Sequence, residues 1–256
     1  MTASIVSILG PTGGHLTGTY QPGGARPEFA VLWVHGFGSH RGGEKAEAVR
    51  AECTRRGWVF AAFDFRAHGE SSGAMPDLLA SGLLEDLAAV RDWLATRGHT
   101  RLGLIGSSMG GFASAWFAKR NAELVVGCVF LAPAFGFLDR RWTRLTPEQQ
   151  EAWKRTGRHV VKNDWVAVEV GIGLVEERDR YRPEDLVTDW RTPSLLFHGL
   201  ADDTVLDSDS LFFAREVDYP QVEVRLLKDG DHRLTAYKDA IAAAAGAFFA
   251  KLLGED

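Results

Sequence analysis

Cysteine occurs twice in 256 residues, as Cys53 and Cys128. The two lie far apart, each in an apolar-periodic stretch. A disulfide framework is therefore not expected, and buried free thiols in a reducing compartment are. Long apolar runs are missing as well. No stretch approaches the roughly 20 apolar residues of a membrane-spanning helix, so no membrane span is expected. The start, MTASIVSILGPTGG, lacks a basic leading region, and its apolar run is too short for a secretion signal. A soluble, cytoplasmic protein is the expectation. Positive charge is not in excess: 29 Lys and Arg against 34 Asp and Glu leave a net charge of -5. That argues against a general nucleic-acid binder, which carries a basic face. The patterns HExxH and CxxC and the phosphate-binding P-loop are absent too, so no metal or nucleotide cofactor is expected.

What is present is a rhythm. AVLWVHG (30–36), WVFAAFDF (58–65), RLGLIG (101–106), VVGCVFLAP (125–133), PSLLFHG (193–199) and VEVRLLKDG (222–230) are short apolar runs. Helical patterns stand between them: GGEKAEAVRAECTRRG closing on Gly57, LLEDLAAVRDWLATRG, FASAWFAKR and, last, DAIAAAAGAFFAKLL. Unbroken apolar runs suit strands buried on both faces, and strands alternating with helices imply a mostly parallel sheet flanked by helices. SIVSIL and HLTGTY, around PTGG, predict an antiparallel hairpin at the sheet edge. The rhythm breaks between Phe135 and Trp190. There the chain is charged, carries Trp142, Trp153 and Trp165, and reads as helical from TPEQQEAWKR, with Thr146 as N-cap, Pro147 at the first position and Gln149 completing a capping box. The expected organisation is a core of residues 1–134 and 191–256 and a helical lid at 135–190.

In an open parallel sheet, ligands bind at the carboxyl ends of the strands. The segments there are HGFGS, RAHGESSG, GSSMGG, HGLADDTV and KDGDHR. Two of them fit Gly-x-Ser-x-Gly, the turn that presents a nucleophilic serine between a strand and a helix. GSSMGG (106–111) has a strand before it and FASAWFAKR behind it. GESSG (69–73) is followed by GAMPD, which favours an irregular loop. Within GSSMGG only Ser108 has glycine on both sides at two residues' distance. Ser108 is the candidate nucleophile, and Ser107 its neighbour in the turn.

A serine hydroxyl needs a base beside it, and the base needs an acid to orient it. His232, in DGDHR after the last strand and before the final helix, is the candidate base. His35 and His198 stand before glycines at strand ends and read as structural. The acid lies in LFHGLADDTV, with Asp202 favoured over Asp203 because it is nearer the strand. The oxyanion needs backbone donors, and the amides of Met109, after the nucleophile, and Phe37, in HGFGS, are the candidates.

HGFGS, GSSMGG, HGLADDTV and DGDHR, in this order, resemble an α/β-hydrolase of the serine esterase and lipase type, over nearly the whole chain. FDFRAHGESSG, GSSMGGF and the His-Arg of DGDHR are similar to the branch containing the mitochondrial abhydrolase palmitoyl-protein thioesterase and related prokaryotic carboxylesterases. The resemblance implies a Ser108–Asp202–His232 triad, oxyanion donors at Phe37 and Met109, no cofactor, and a small-molecule acyl ester or thioester as substrate. Carboxylesterase is the expected activity. Thioesterase, lactonase and peptidase are alternatives on the same fold, and a non-catalytic receptor or scaffold is the alternative of another kind. The aromatics of 135–190 suit either an acyl pocket or that segment's own core. Among its arginines, Arg140, Arg141, Arg144, Arg155 and Arg158 suit either an anionic group or a solvated face.

Overall fold

The computed structural model describes residues 2–162 and 167–255; Trp165 lies outside them. The chain runs β1 (Ser4–Leu9), β2 (His15–Gln21), β3 (Phe29–Val34), α1 (Glu44–Arg56), β4 (Val59–Phe63), α2 (Ala80–Ala95), β5 (Arg101–Ser107), α3 (Met109–Arg120) and β6 (Val125–Leu131). It continues through α4 (Phe137–Thr143), α5 (Pro147–Thr156), β7 (Arg158–Lys162), β8 (Ala167–Gly171), α6 (Gly173–Glu176) and α7 (Pro183–Val187). β9 (Ser194–Gly199), α8 (Ser208–Glu216), β10 (Val222–Leu227) and α9 (Lys238–Leu252) complete it. Among the described residues no helix is long and apolar enough to cross a membrane.

An eight-stranded sheet has the order β1-β2-β4-β3-β5-β6-β9-β10. β1 and β2 form the expected antiparallel hairpin at one edge, and β3 to β10 within this sheet run parallel. This is the α/β-hydrolase fold. The apolar runs are continuous because both faces are covered. Along β3, Ala30, Leu32 and Val34 join one core, with α2 and α3. Phe29, Val31 and Trp33 join the other, with α1 and α9. Strand order reverses at β3: the chain goes first to β4 on one side, then to β5 on the other. The loops leaving β3 and β5 therefore flank a crevice at the carboxyl edge, where such sheets bind ligands.

Between β6 and β9 the chain makes a long excursion. The Thr146 hydroxyl accepts from the Gln149 amide and the Gln149 side chain accepts from the Thr146 amide, closing the expected capping box on α5. Besides helices, the excursion contains an antiparallel ladder of β7 and β8 that the helical reading did not foresee. RHVVK and AVEVG are short, and only every second residue of β7 is sheltered, so their pattern is faint. Trp153 is buried and its ring centroid lies 6.2 Å from that of Trp142. Trp153 belongs to the same apolar cluster as Leu32, Leu87 and Phe112, and Trp142 packs against that cluster, half-buried.

Candidate active site

β5 delivers the chain straight into the turn at Ser108, and α3 starts at Met109. Ser108 has φ 54° and ψ −116°, a conformation that an L-residue holds only under tertiary constraint. Close packing supplies that constraint. A methyl on Gly110 would meet the Val34 carbonyl oxygen at 2.1 Å, and one on Gly106 would meet the Gly110 carbonyl oxygen at 2.4 Å. The flanking glycines let the start of α3 lie directly on the end of β3.

The structure brings Ser108, His232 and Asp202 together. The Ser108 hydroxyl is 3.0 Å from His232 Nε2, and His232 Nδ1 is 2.8 Å from Asp202 Oδ2. With Nδ1–H donating to the carboxylate, Nε2 is left as the acceptor for the serine proton. Asp202 is buried, and its Oδ1 accepts the Thr204 and Val205 amides, each at 2.9 Å. Burial pushes its carboxyl up, but hydrogen bonds from His198 and His232 outweigh that and hold it well below the usual carboxylate range. Asp203 instead accepts the Thr204 hydroxyl at 3.2 Å, on the surface. His198 is buried: its Nδ1 accepts the Ser210 hydroxyl at 2.7 Å, and its Nε2–H is shared between the Val205 carbonyl at 2.9 Å and Asp202 Oδ2 at 3.4 Å. It is the structural residue that the sequence suggested, and it holds the loop carrying Asp202.

The HGFGS loop reaches Ser108 from β3. A methyl on Gly36 would stand 3.3 Å from Ser108 Cβ. Neither the Phe37 nor the Met109 amide donates to any described group, so both are free for a ligand. His35 fixes the base of the loop, its Nε2 accepting the Phe65 amide at 3.0 Å and its Nδ1–H donating to the Gly36 carbonyl at 2.8 Å. Burial, with His68 adding to it, drives His35 down to about 3, so it stays neutral. The GESSG segment is tied down elsewhere. Ser71 donates to the Asp64 carbonyl at 2.6 Å, and Ser72 Oγ is 2.7 Å from His15 Nδ1. The buried Asp64 carboxylate pairs with Arg41 and accepts the Glu70 amide at 3.0 Å, clasping this segment to the HGFGS loop.

One neighbour of the site was not anticipated. Lys45, in the first turn of α1, donates to Ser107 Oγ at 3.0 Å. Desolvation lowers its pKa to about 8; Arg233 adds to this and Asp231 opposes it. A signal existed: a lysine in the first turn opposes the helix dipole, which favours acids there. Among the described residues no group of three or more His, Cys, Asp or Glu could hold a metal ion.

Known proteins bear on this geometry. The palmitoyl-protein thioesterase ABHD10, mitochondrial, of Mus musculus is 26% identical over 212 residues, covering 82% of this chain and 70% of its own. A putative hydrolase from Agrobacterium vitis S4 superposes with a TM-score of 0.88 at 24% identity, over 97% of this chain and 100% of its own. Est1E from Butyrivibrio proteoclasticus, solved with ferulic acid bound, gives 0.83 at 20% identity, over 98% and 100%. At such identities the two structures speak for the fold. The model of one family, described as serine aminopeptidase, S33, matches residues 25–170. That is more than half of the chain, and the protein belongs to this serine hydrolase family.

Proposed function

We propose that the protein is a carboxylic ester hydrolase working through an acyl-enzyme on Ser108. The observation that carries this reading is the continuous hydrogen-bond line from Ser108 through His232 to the buried Asp202. His232 takes the Ser108 proton as Oγ attacks the carbonyl carbon. The Phe37 and Met109 amides hold the oxygen that becomes negative, at the start of α3, where the helix dipole favours it. Asp202 stabilises the imidazolium. His232 then protonates the departing alcohol, and the same histidine activates the water that frees the acid.

A thioester is the second reading. It is favoured by the similarity to a protein named palmitoyl-protein thioesterase. The mechanism is unchanged, except that a thiolate leaves more readily than an alkoxide. An aminopeptidase must hold the substrate's free ammonium. The cations Lys45, beside Ser107, and Arg141, on the Phe37 ring, disfavour that.

The test is a series of p-nitrophenyl esters of increasing acyl length, run beside the matching acyl thioesters and an aminoacyl anilide. Ester or thioester turnover that disappears in Ser108→Ala, together with fluorophosphonate labelling lost in the same variant, is the expected result. Full ester turnover by Ser108→Ala would overturn the reading, and absence of labelling in the wild type would favour a silent scaffold.

A further inference from the structure

Of the five arginines from Arg140 to Arg158, three have partners that explain them. Arg140 pairs with Asp209, Nη1 to Oδ1 at 2.9 Å. Arg144 donates to the Thr204 carbonyl at 3.2 Å, and Arg158 meets Glu169 at 2.7 Å on the surface. Arg155 is exposed. Arg141 differs from all of these. Its guanidinium carbon lies 4.5 Å from the ring centroid of Phe37 and 4.9 Å from that of Phe137. Its Nε is buried and has no hydrogen-bond partner. Among the described residues no carboxylate pairs with it, and the charge acting on it is the like charge of Arg144. Burial, with Arg144 adding to it, lowers its pKa to about 10, so it keeps its proton at neutral pH.

A desolvated cation without a counter-charge is costly. The two rings offset part of that cost through their faces. They leave the Nε donor unmet, and the guanidinium fork matches the two oxygens of a carboxylate. The position matters as much as the need. Phe37 carries one of the two amides assigned to the oxyanion, and the adjacent Gly36 packs on Ser108. Phe137 packs on Phe112 of α3, with ring centroids 5.9 Å apart. Arg141 therefore stands over the oxyanion loop.

We propose that Arg141 is an anion subsite of the active centre, which selects esters or thioesters bearing a carboxylate a few atoms from the scissile carbonyl. The proposal rests on the hydrolase reading above. The carboxylate could belong to the acyl part or to the leaving group, and the assay separates them. The acyl arm compares p-nitrophenyl hemiglutarate with a neutral p-nitrophenyl ester of matching length. The leaving-group arm compares the butyrate of a carboxylated nitrophenol with plain p-nitrophenyl butyrate.

Wild type is expected to prefer the carboxylated member of one arm. In Arg141→Gln the ratio of kcat/KM, carboxylated over neutral, should fall about 10- to 100-fold, the range of a charge-assisted hydrogen bond. The fall should lie mainly in KM, because the contact is remote from the bond that breaks. Arg141→Lys, which keeps the charge and loses the fork, should recover part of it. A purely structural role would lower both substrates together and leave the ratio unchanged, and that result overturns the proposal. If Arg141→Gln does not fold, the wild-type ratios decide: no preference in either arm overturns it. Neutral-ester turnover that depends on Ser108, with no carboxylate preference, removes the subsite alone. Absence of any Ser108-dependent turnover removes the hydrolase reading with it.

Discussion

The two oxygens of Asp202 face different partners: Oδ2 lies 2.8 Å from His232 Nδ1, while Oδ1 accepts two backbone amides. The carboxylate is held so that only one direction is left for the imidazole. Asp202→Asn should therefore keep the fold but present the wrong tautomer, with kcat falling roughly 10³- to 10⁴-fold. Asp203→Asn, on the surface, should stay within about threefold. Equal losses in the two variants would contradict this assignment. Stability carries a second signature. Hydrogen bonds hold the Asp202 carboxyl below its unfolded value of about 3.9, so its contribution is present above that pH and is lost as pH falls through the folded value. The stability difference between wild type and Asp202→Asn, from urea unfolding, should shrink as pH drops below about 4.

Ser108 sits at φ 54° with a Cβ attached. Strain of this kind costs on the order of 1–3 kcal/mol. Glycine removes the strain and adds roughly 0.5–1 kcal/mol of unfolded-state entropy cost. Ser108→Gly should therefore lose turnover while gaining about 1 kcal/mol in stability over Ser108→Ala, which keeps the Cβ. Denaturant melts of the two variants measure this, and a glycine variant less stable than the alanine variant would refute it.

Lys45 is half-buried against Ser107 with its pKa lowered to about 8, whereas the unfolded chain holds it near 10.4. Between these values the unfolded state binds more protons, so stability rises with pH. The gain is complete above about 10.4 and absent below about 8. Lys45→Met should lack this slope, and the wild-type curve should climb relative to it by up to about 3 kcal/mol across the window. Parallel curves would show that the ammonium is not desolvated.

Much of the fold can be read from local pattern. AVLWV and WVFAAF are unbroken apolar runs because helices cover both sides of β3 and β4, and Thr146, Pro147 and Gln149 announce α5 within four residues. The candidate site was legible because each of its residues sits just beyond a strand, where the sheet gathers them. What stayed hidden depends on partners distant in the chain. The Asp64–Arg41 clasp joins loops 23 residues apart, and nothing local marks it. β7 and β8 find their pairing only in each other. The arginines of the excursion look alike in sequence; only Asp209, Thr204 and Glu169 on one hand, and two aromatic rings on the other, tell them apart.

β6 and β9 are direct, parallel neighbours in the sheet, so the excursion leaves at the carboxyl end of one and returns to the amino end of the other. The entropy of closing such a loop grows only slowly with its length. Residues can thus be added, removed or rewritten there without moving a strand. Ser108, Asp202 and His232 all lie outside it, and Arg141 lies inside it. On the reading proposed above, the chain is a fixed engine with an exchangeable mouth: a new substrate preference is acquired by altering one contiguous stretch of gene while the proposed bond-breaking apparatus is inherited intact.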